Sequence, residues 1–331
     1  MRTLITVASL LLVAADPNYR VIKEIPIGGD GGWDYVIVDG SSHRVYVSHS
    51  TKVVVADTDT GQIVGEIADT PGVHGIALAP ELGRGYTSNG RSNSSTIVDL
   101  QTLKPIGTVK TGANPDSIRY LPDRHEVWTF NHSDGSITAF DPMSGSVIAT
   151  IAVGGQLEEA VEDAAANRVY VNVEDKNAIA VVDSRAHKLV ETWPLKGCDG
   201  PTGLAFDARN HRLLSACEGR MIVTDSRSGT AVTDFPIGTR VDGNGFDPAT
   251  GLAFASSGTG VLTIAHEDTP DTFTVVQTVT TQPSGRTMWL DYATHRVYVP
   301  VANTQTGANG RAQIAAGTMK VLVLGPPGAR D

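Results

Sequence analysis

The chain has 331 residues, 40% hydrophobic and 19% charged, so it is too long for a small module and has a globular composition. Its net charge of −10 and lack of any Lys/Arg run argue against a generic nucleic-acid binder. Thirty-five glycines and abundant Val and Thr suggest many short strands joined by tight turns.

Met1-Arg2-Thr3 leads into apolar residues from Leu4 to Val13, and small residues follow before Asp16. This is the pattern of a signal peptide over residues 1–15. Its apolar run is too short to span a bilayer comfortably, and no later segment is long enough. The expectation is an exported, periplasmic or extracellular protein without a transmembrane segment, with residues 16–331 as one domain.

Tyr19–Ile25 reads as an isolated strand. The next unit reads as four strands, Trp33–Asp39, Arg44–Ser48, Lys52–Asp57 and Gln62–Ile67, with turn residues between them and a period of two. The unit then recurs. Asp57, Asp99, Asp141, Asp183 and Asp225 each close a strand-like run and follow one another at intervals of 42 residues. An Arg-Val-Tyr-Val strand appears at Arg44–Val47, Arg168–Val171 and Arg296–Val299. Weaker copies begin at Arg84, Glu126, Arg212 and Gly251, making seven. Four short antiparallel strands per repeat of about 40 residues predict an all-β fold, a seven-bladed β-propeller. The seventh unit has strands at Arg286–Asp291, Arg296–Val301 and Met319–Leu324, but no fourth. Tyr19–Ile25 is expected to complete that blade and close the ring, removing an exposed sheet edge. Residues 303–318 form an insertion rich in Gly, Ala and polar residues, which reads as a mobile loop.

Gly32-Trp33-Asp34-Tyr35, Val73-His74-Gly75-Ile76-Ala77, Asn114-Pro115-Asp116, Gly200-Pro201-Thr202-Gly203-Leu204 and Gly285-Arg286-Thr287 resemble the bacterial YncE family of YVTN-repeat propellers. The resemblance covers the whole mature chain. It implies seven blades and export, and little about chemistry. Broader relatives include lactonases, antibiotic lyases and accessory chains of redox enzymes, a fold-level analogy only.

Aligning the seven first strands gives a second-position column of Asp34, His74, Asp116, Glu158, Thr202, Asp242 and Arg286. Glu159 competes with Glu158 for its place. Six of the seven are ionisable, where a buried strand position would ordinarily be apolar. The column is expected to ring one mouth of the central channel and bind a small molecule or protein there. Four facing carboxylates need a compensating cation. Arg286 and His74 supply part of it, and Asp34, His74, Asp116, Glu158 and Asp242 are candidate ligands for Ca²⁺, Mg²⁺, Mn²⁺ or Zn²⁺. The plain alternative is that each carboxylate caps a turn or is merely solvated. Loops after the second strands bring His49, Asn89, His132, Glu174, Glu218 and Asn303 to the same face, with His49 expected near His74.

Cys198 and Cys217 are the only cysteines and are placed to form a disulfide, which suits an exported protein. There is no CxxC, CxxCH, GxSxG, HExxH, P-loop or EF-hand motif, and neither haem nor nucleotide is expected. The four Trp do not recur at a fixed repeat position. Three functions compete. One is an exported binding scaffold. Another is a metal-assisted lactonase or lyase with His74 as general base and Arg286 stabilising an oxyanion. The last is an accessory subunit of a periplasmic redox system. A monomer is expected.

Overall fold

The computed structural model describes residues 17–306 and 312–326. Residues 1–15, expected to be a signal peptide, lie outside the described residues. Seven four-stranded antiparallel sheets form the blades. Blade 1 comprises Val36–Asp39, Arg44–His49, Lys52–Asp57 and Ile63–Ile67, running from the central axis outward. Blades 2 to 6 repeat this order. Each inner strand touches the next around the axis, and Trp289–Asp291 of blade 7 touches Val36–Asp39 of blade 1, so the ring is closed.

Blade 7 is completed from the other end of the chain. Arg20–Pro26 pairs antiparallel with Lys320–Gly325, Glu24 opposite Leu322 and Ile25 opposite Val321. Ile25, Val321 and Val323 then pack with Val45, Val47 and Val54 of blade 1.

The second and third strands depart from simple alternation. Val45, Tyr46 and Val47 are all buried, as are Val53, Val54, Val55 and Ala56. Each blade is covered on both faces by its neighbours, so these strands are apolar on both sides. The outer strands are largely exposed, as in Ile63–Ile67, where Ile67 is buried and Ile63, Val64 and Glu66 are exposed.

The 42-residue aspartate is a turn device. Asp57 Oδ1 accepts from the backbone N–H groups of Asp59 and Thr60 and from the Thr60 hydroxyl. Asp99 and Asp141 do the same with Gln101 and Thr102, and with Met143 and Ser144. These bonds hold the three carboxyls below their ordinary range, the backbone N–H of Thr60, Thr102 or Ser144 contributing most. The fourth residue after each aspartate has positive φ: Gly61, Leu103, Gly145, His187 and Gly229.

Cys198 and Cys217 form a disulfide, with Cα atoms 5.3 Å apart. The insertion is not simply a loop: Thr304–Thr306 pairs with Ala312–Ile314 as a small hairpin, residues 307–311 lying outside the described set. Ile314 packs against the cluster containing Trp33 and Val36, which anchors the hairpin to blade 1. Among the described residues no helix is long and apolar enough to cross a membrane.

Candidate functional site

All seven residues of the aligned column line one cavity of about 620 Å³ at a mouth of the channel. The reason is local. In four blades the pairing between inner and second strand slips at the column position: between Val73 and Gly75, Pro115 and Ile118, Leu157 and Ala160, and Val241 and Gly243. Strict alternation would send neighbouring side chains to opposite faces. A bulge re-aims one of them, so His74, Asp116, Glu158 and Asp242 reach the mouth while the following residue also faces the axis. Glu158 accordingly lines the mouth, and Glu159 lines a second cavity of about 440 Å³ deeper in the channel. There Glu159 Oε1 accepts from Arg119 Nη2 at 2.6 Å and from the Ser117 hydroxyl at 3.0 Å. Tyr35 lines both cavities. Its phenol is pushed well above the ordinary tyrosine range, first by burial and then by the charges of Asp116, Glu159, Glu158 and Asp34.

Around the mouth the side chains form a charged network. His74 Nδ1 lies 2.6 Å from Asp34 Oδ2 and 3.6 Å from Asp116 Oδ1, and Nε2 lies 3.3 Å from Asn114 Oδ1. Both ring nitrogens thus face oxygen acceptors. Burial alone would lower the His74 pKa, but Asp34 and Asp116 outweigh it and raise it to about 9. Arg286 donates from Nη1 to Asp242 Oδ2 and from Nη2 to Asp34 Oδ1 at 3.3 Å. Gly243 lets blade 6 approach blade 7 closely enough for this pairing. A Cβ there would lie 2.6 Å from the Met288 backbone nitrogen.

The carboxyls pay for their burial unequally. Desolvation, reinforced by the other carboxylates, raises Glu158 to about 9 and Asp116 well above the ordinary range. Asp242 is raised only to about 7, because Arg286 opposes the effect of burial.

Thr202 lines the mouth without charge, its hydroxyl donating to the Val241 carbonyl at 3.0 Å. His49 does not join the ring. It is buried beneath the Gly28–Gly29 turn, with Nε2 2.9 Å from the Gly28 carbonyl, and it does not line the cavity. Of the other loop residues only His132 and Glu174 line it. Asn89 is turned inward onto Ser94 and Thr96, while Glu218 accepts the Arg240 N–H. The carboxylates of Asp34 and Asp116 favour the protonated form of His74, the form of a proton donor.

Asn114 and Arg240 also line the mouth, and the column alone does not identify them. Each stands two residues before a column position and has positive φ. The equivalent residues in blades 1, 2 and 5 are Gly32, Gly72 and Gly200. Gln156 and Ser284 are also non-glycine at this position and do not line the mouth, so residue type there does not single out Asn114 and Arg240.

No family model matches the chain, and no curated protein matches it in sequence. Solved structures do. A chain of Kuenenia stuttgartiensis hydrazine synthase has a TM-score of 0.73 at 15% identity, over 88% of this chain and 97% of that one. The RRP9 WD40 repeats have a TM-score of 0.76 at 10% identity, over 94% and 98%. At such identities the likeness shows the fold, a seven-bladed β-propeller, and nothing of the chemistry.

Proposed function

We propose that this protein is a binding scaffold whose channel mouth holds a small, positively charged organic ligand. One observation carries the reading: all seven blades deliver a side chain to the same cavity from the inner strand or the residues just before it, and there five carboxyl groups outnumber two guanidinium groups and the His74 imidazole, so that a cation can take the place of the protons that burial favours at Glu158 and Asp116. A closed ring of strands is a rigid frame, and preorganised polar groups in a concavity give specificity at little ordering cost. The test is a thermal-shift panel of defined amines, such as putrescine, spermidine and glucosamine, run in EDTA. Binding should raise the melting temperature by mass action, and Asp242→Asn with Glu174→Gln should abolish the rise. No shift across the panel, or an equal shift in the variant, would sink the reading.

Export belongs to the same proposal. The Cys198–Cys217 bond supports an oxidising compartment, and the likeness to YncE-type propellers agrees with it. Osmotic-shock fractionation of expressing cells tests this, and recovery in the cytosol alone would refute it.

A second reading, a metal-assisted lactonase or lyase, is favoured by the His74–Asp34 pair beside Arg286. In that case His74 is a proton donor and Arg286 stabilises an oxyanion. Turnover of a lactone panel, lost in His74→Gln, would support it; no turnover by metal-loaded protein would exclude it for those substrates.

A further inference from the structure

We propose that Asp116, His132 and Glu158 form a divalent-cation site of the Mn²⁺ or Zn²⁺ type in the wall of the mouth cavity. One potential ligand atom from each of these three residues lies within 4.8 Å of the others. Two adjacent blades build the site. Asp116 and Glu158 stand at the bulges of the inner strands of blades 3 and 4. His132 follows the second strand of blade 3, its backbone N–H bonded to the Asn114 carbonyl at 2.9 Å.

The case rests on what these groups do not do. Among the described residues no hydrogen bond reaches the Asp116 or Glu158 carboxylate, and each has only an ion-pair contact, to His74 Nδ1 at 3.6 Å and to His132 Nδ1 at 2.9 Å, although the Glu158 side chain is only 9% exposed. A buried carboxylate without a donor carries a heavy desolvation cost. The His132 Nδ1 atom is fully buried and makes no hydrogen bond. It lies 2.9 Å from Glu158 Oε1, an ion-pair distance, without a hydrogen bond between them. Two atoms that share a cation stand in this relation. With metal–ligand bonds of about 2.1 Å, ligands at right angles are about 3.0 Å apart. The neighbouring group of Asp34, His74 and Asp116 also has its atoms within 4.8 Å, but both His74 nitrogens are already engaged by Asp34 and Asn114. The cation is therefore assigned to the His132 side.

One nitrogen and two carboxylates suit Mn²⁺ or Zn²⁺ better than Ca²⁺, which takes six to eight oxygens. Remaining coordination positions face the cavity and stay available to water or a ligand. This names a first occupant of the proposed binding cavity, yet it does not require an organic ligand. The amine panel in EDTA depends on Asp242 and Glu174, whereas the cation depends on His132 and Glu158, so either proposal can fail alone.

In the experiment, full-length protein is stripped with EDTA and dialysed separately against Mn²⁺, Zn²⁺ or Ca²⁺. Retained metal is counted and the melting temperature recorded. The expected result is one Mn²⁺ or Zn²⁺ per chain with a raised melting temperature. His132→Asn and Glu158→Gln should each bind more than about ten-fold more weakly, while surface His43→Asn binds as the wild type does. Retention of no ion, of Ca²⁺ alone, or of equal metal by His132→Asn overturns the site. Should the variants not fold, substoichiometric Mn²⁺ added to wild-type protein gives an independent reading. The His132 ring signals should broaden before those of His43, and simultaneous or no broadening overturns the site.

Discussion

His74 Nδ1 and Asp34 Oδ2 lie 2.6 Å apart, although His74 stands on the inner strand of blade 2 and Asp34 just before that of blade 1, 40 residues apart in sequence. The pair joins blades 1 and 2 across the mouth. Asp34 is the largest influence raising the histidine. Asp34→Asn should therefore move the His74 midpoint down from about 9 toward its ordinary 6.5. Histidine NMR titration of metal-free protein measures this, and an unmoved midpoint would disprove the coupling.

The same cavity sets how stability depends on pH. His74 is raised from 6.5 to about 9, so its contribution is complete below about pH 6.5 and is lost as pH rises through 9. Asp242 is raised from 3.8 to about 7, and Glu158 from 4.5 to about 9. In that window the folded state holds more protons than the unfolded state, so all three act in one direction and stability falls with rising pH. EDTA-treated protein should melt at progressively lower temperature between pH 5 and pH 9. A flat or rising profile would contradict these proton affinities.

Removing the disulfide should cost about 3 kcal/mol, since it closes a loop of 19 residues. Denaturant unfolding of Cys198→Ala/Cys217→Ala against wild type measures it. The loss should appear without any change in the amine or metal tests, because neither cysteine lines the mouth.

Gly243→Ala should separate blades 6 and 7 at the mouth. The added methyl would press on the Met288 backbone nitrogen, which cannot rotate away. Overpacking of this kind typically costs about 1–3 kcal/mol. It should also weaken the Asp242–Arg286 pairing, read as a drop in ligand affinity larger than that caused by Gly40→Ala, at a glycine whose added methyl meets only Asp291 at 3.7 Å.

Deleting residues 1–26 should leave Lys320–Gly325 as an open edge and uncover the side of Val321 and Val323 that Ile25 covers. Such edges recruit strands from other chains. Size-exclusion chromatography should show oligomers or aggregates, and a stable monomer of normal melting temperature would refute the closure role.

The blade count and the mouth column were legible in the sequence because a fixed turn recurs. Asp57 and its successors set the phase, and the phase carries over to Asp34, His74, Asp116 and Glu158. Loop residues have no such clock. His49 ends the second strand of blade 1 and His132 follows that of blade 3, yet one is held under a glycine turn and the other faces the cavity. The choice between Glu158 and Glu159 was also beyond a period-two reading, because the bulge breaks the period at that point. Alternation failed in the second and third strands because periodicity reports one-sided burial, and neighbouring blades cover these strands on both sides. His74's protonation could not be read from its own strand, since Asp34 and Asn114 come from the flanking blades.

The seam of the ring has a consequence in time. Asp34 belongs to blade 1 and Arg286 to blade 7, yet their side chains meet across 252 residues. A ribosome delivers Arg20–Pro26 long before Lys320–Gly325, so the earlier strand waits for its partner. The mouth cavity is thus complete only once blade 7 has met blade 1. An occupant touching both Asp34 and Arg286 would act as a clasp, slowing the reopening of the seam more than it slows the fraying of any single blade.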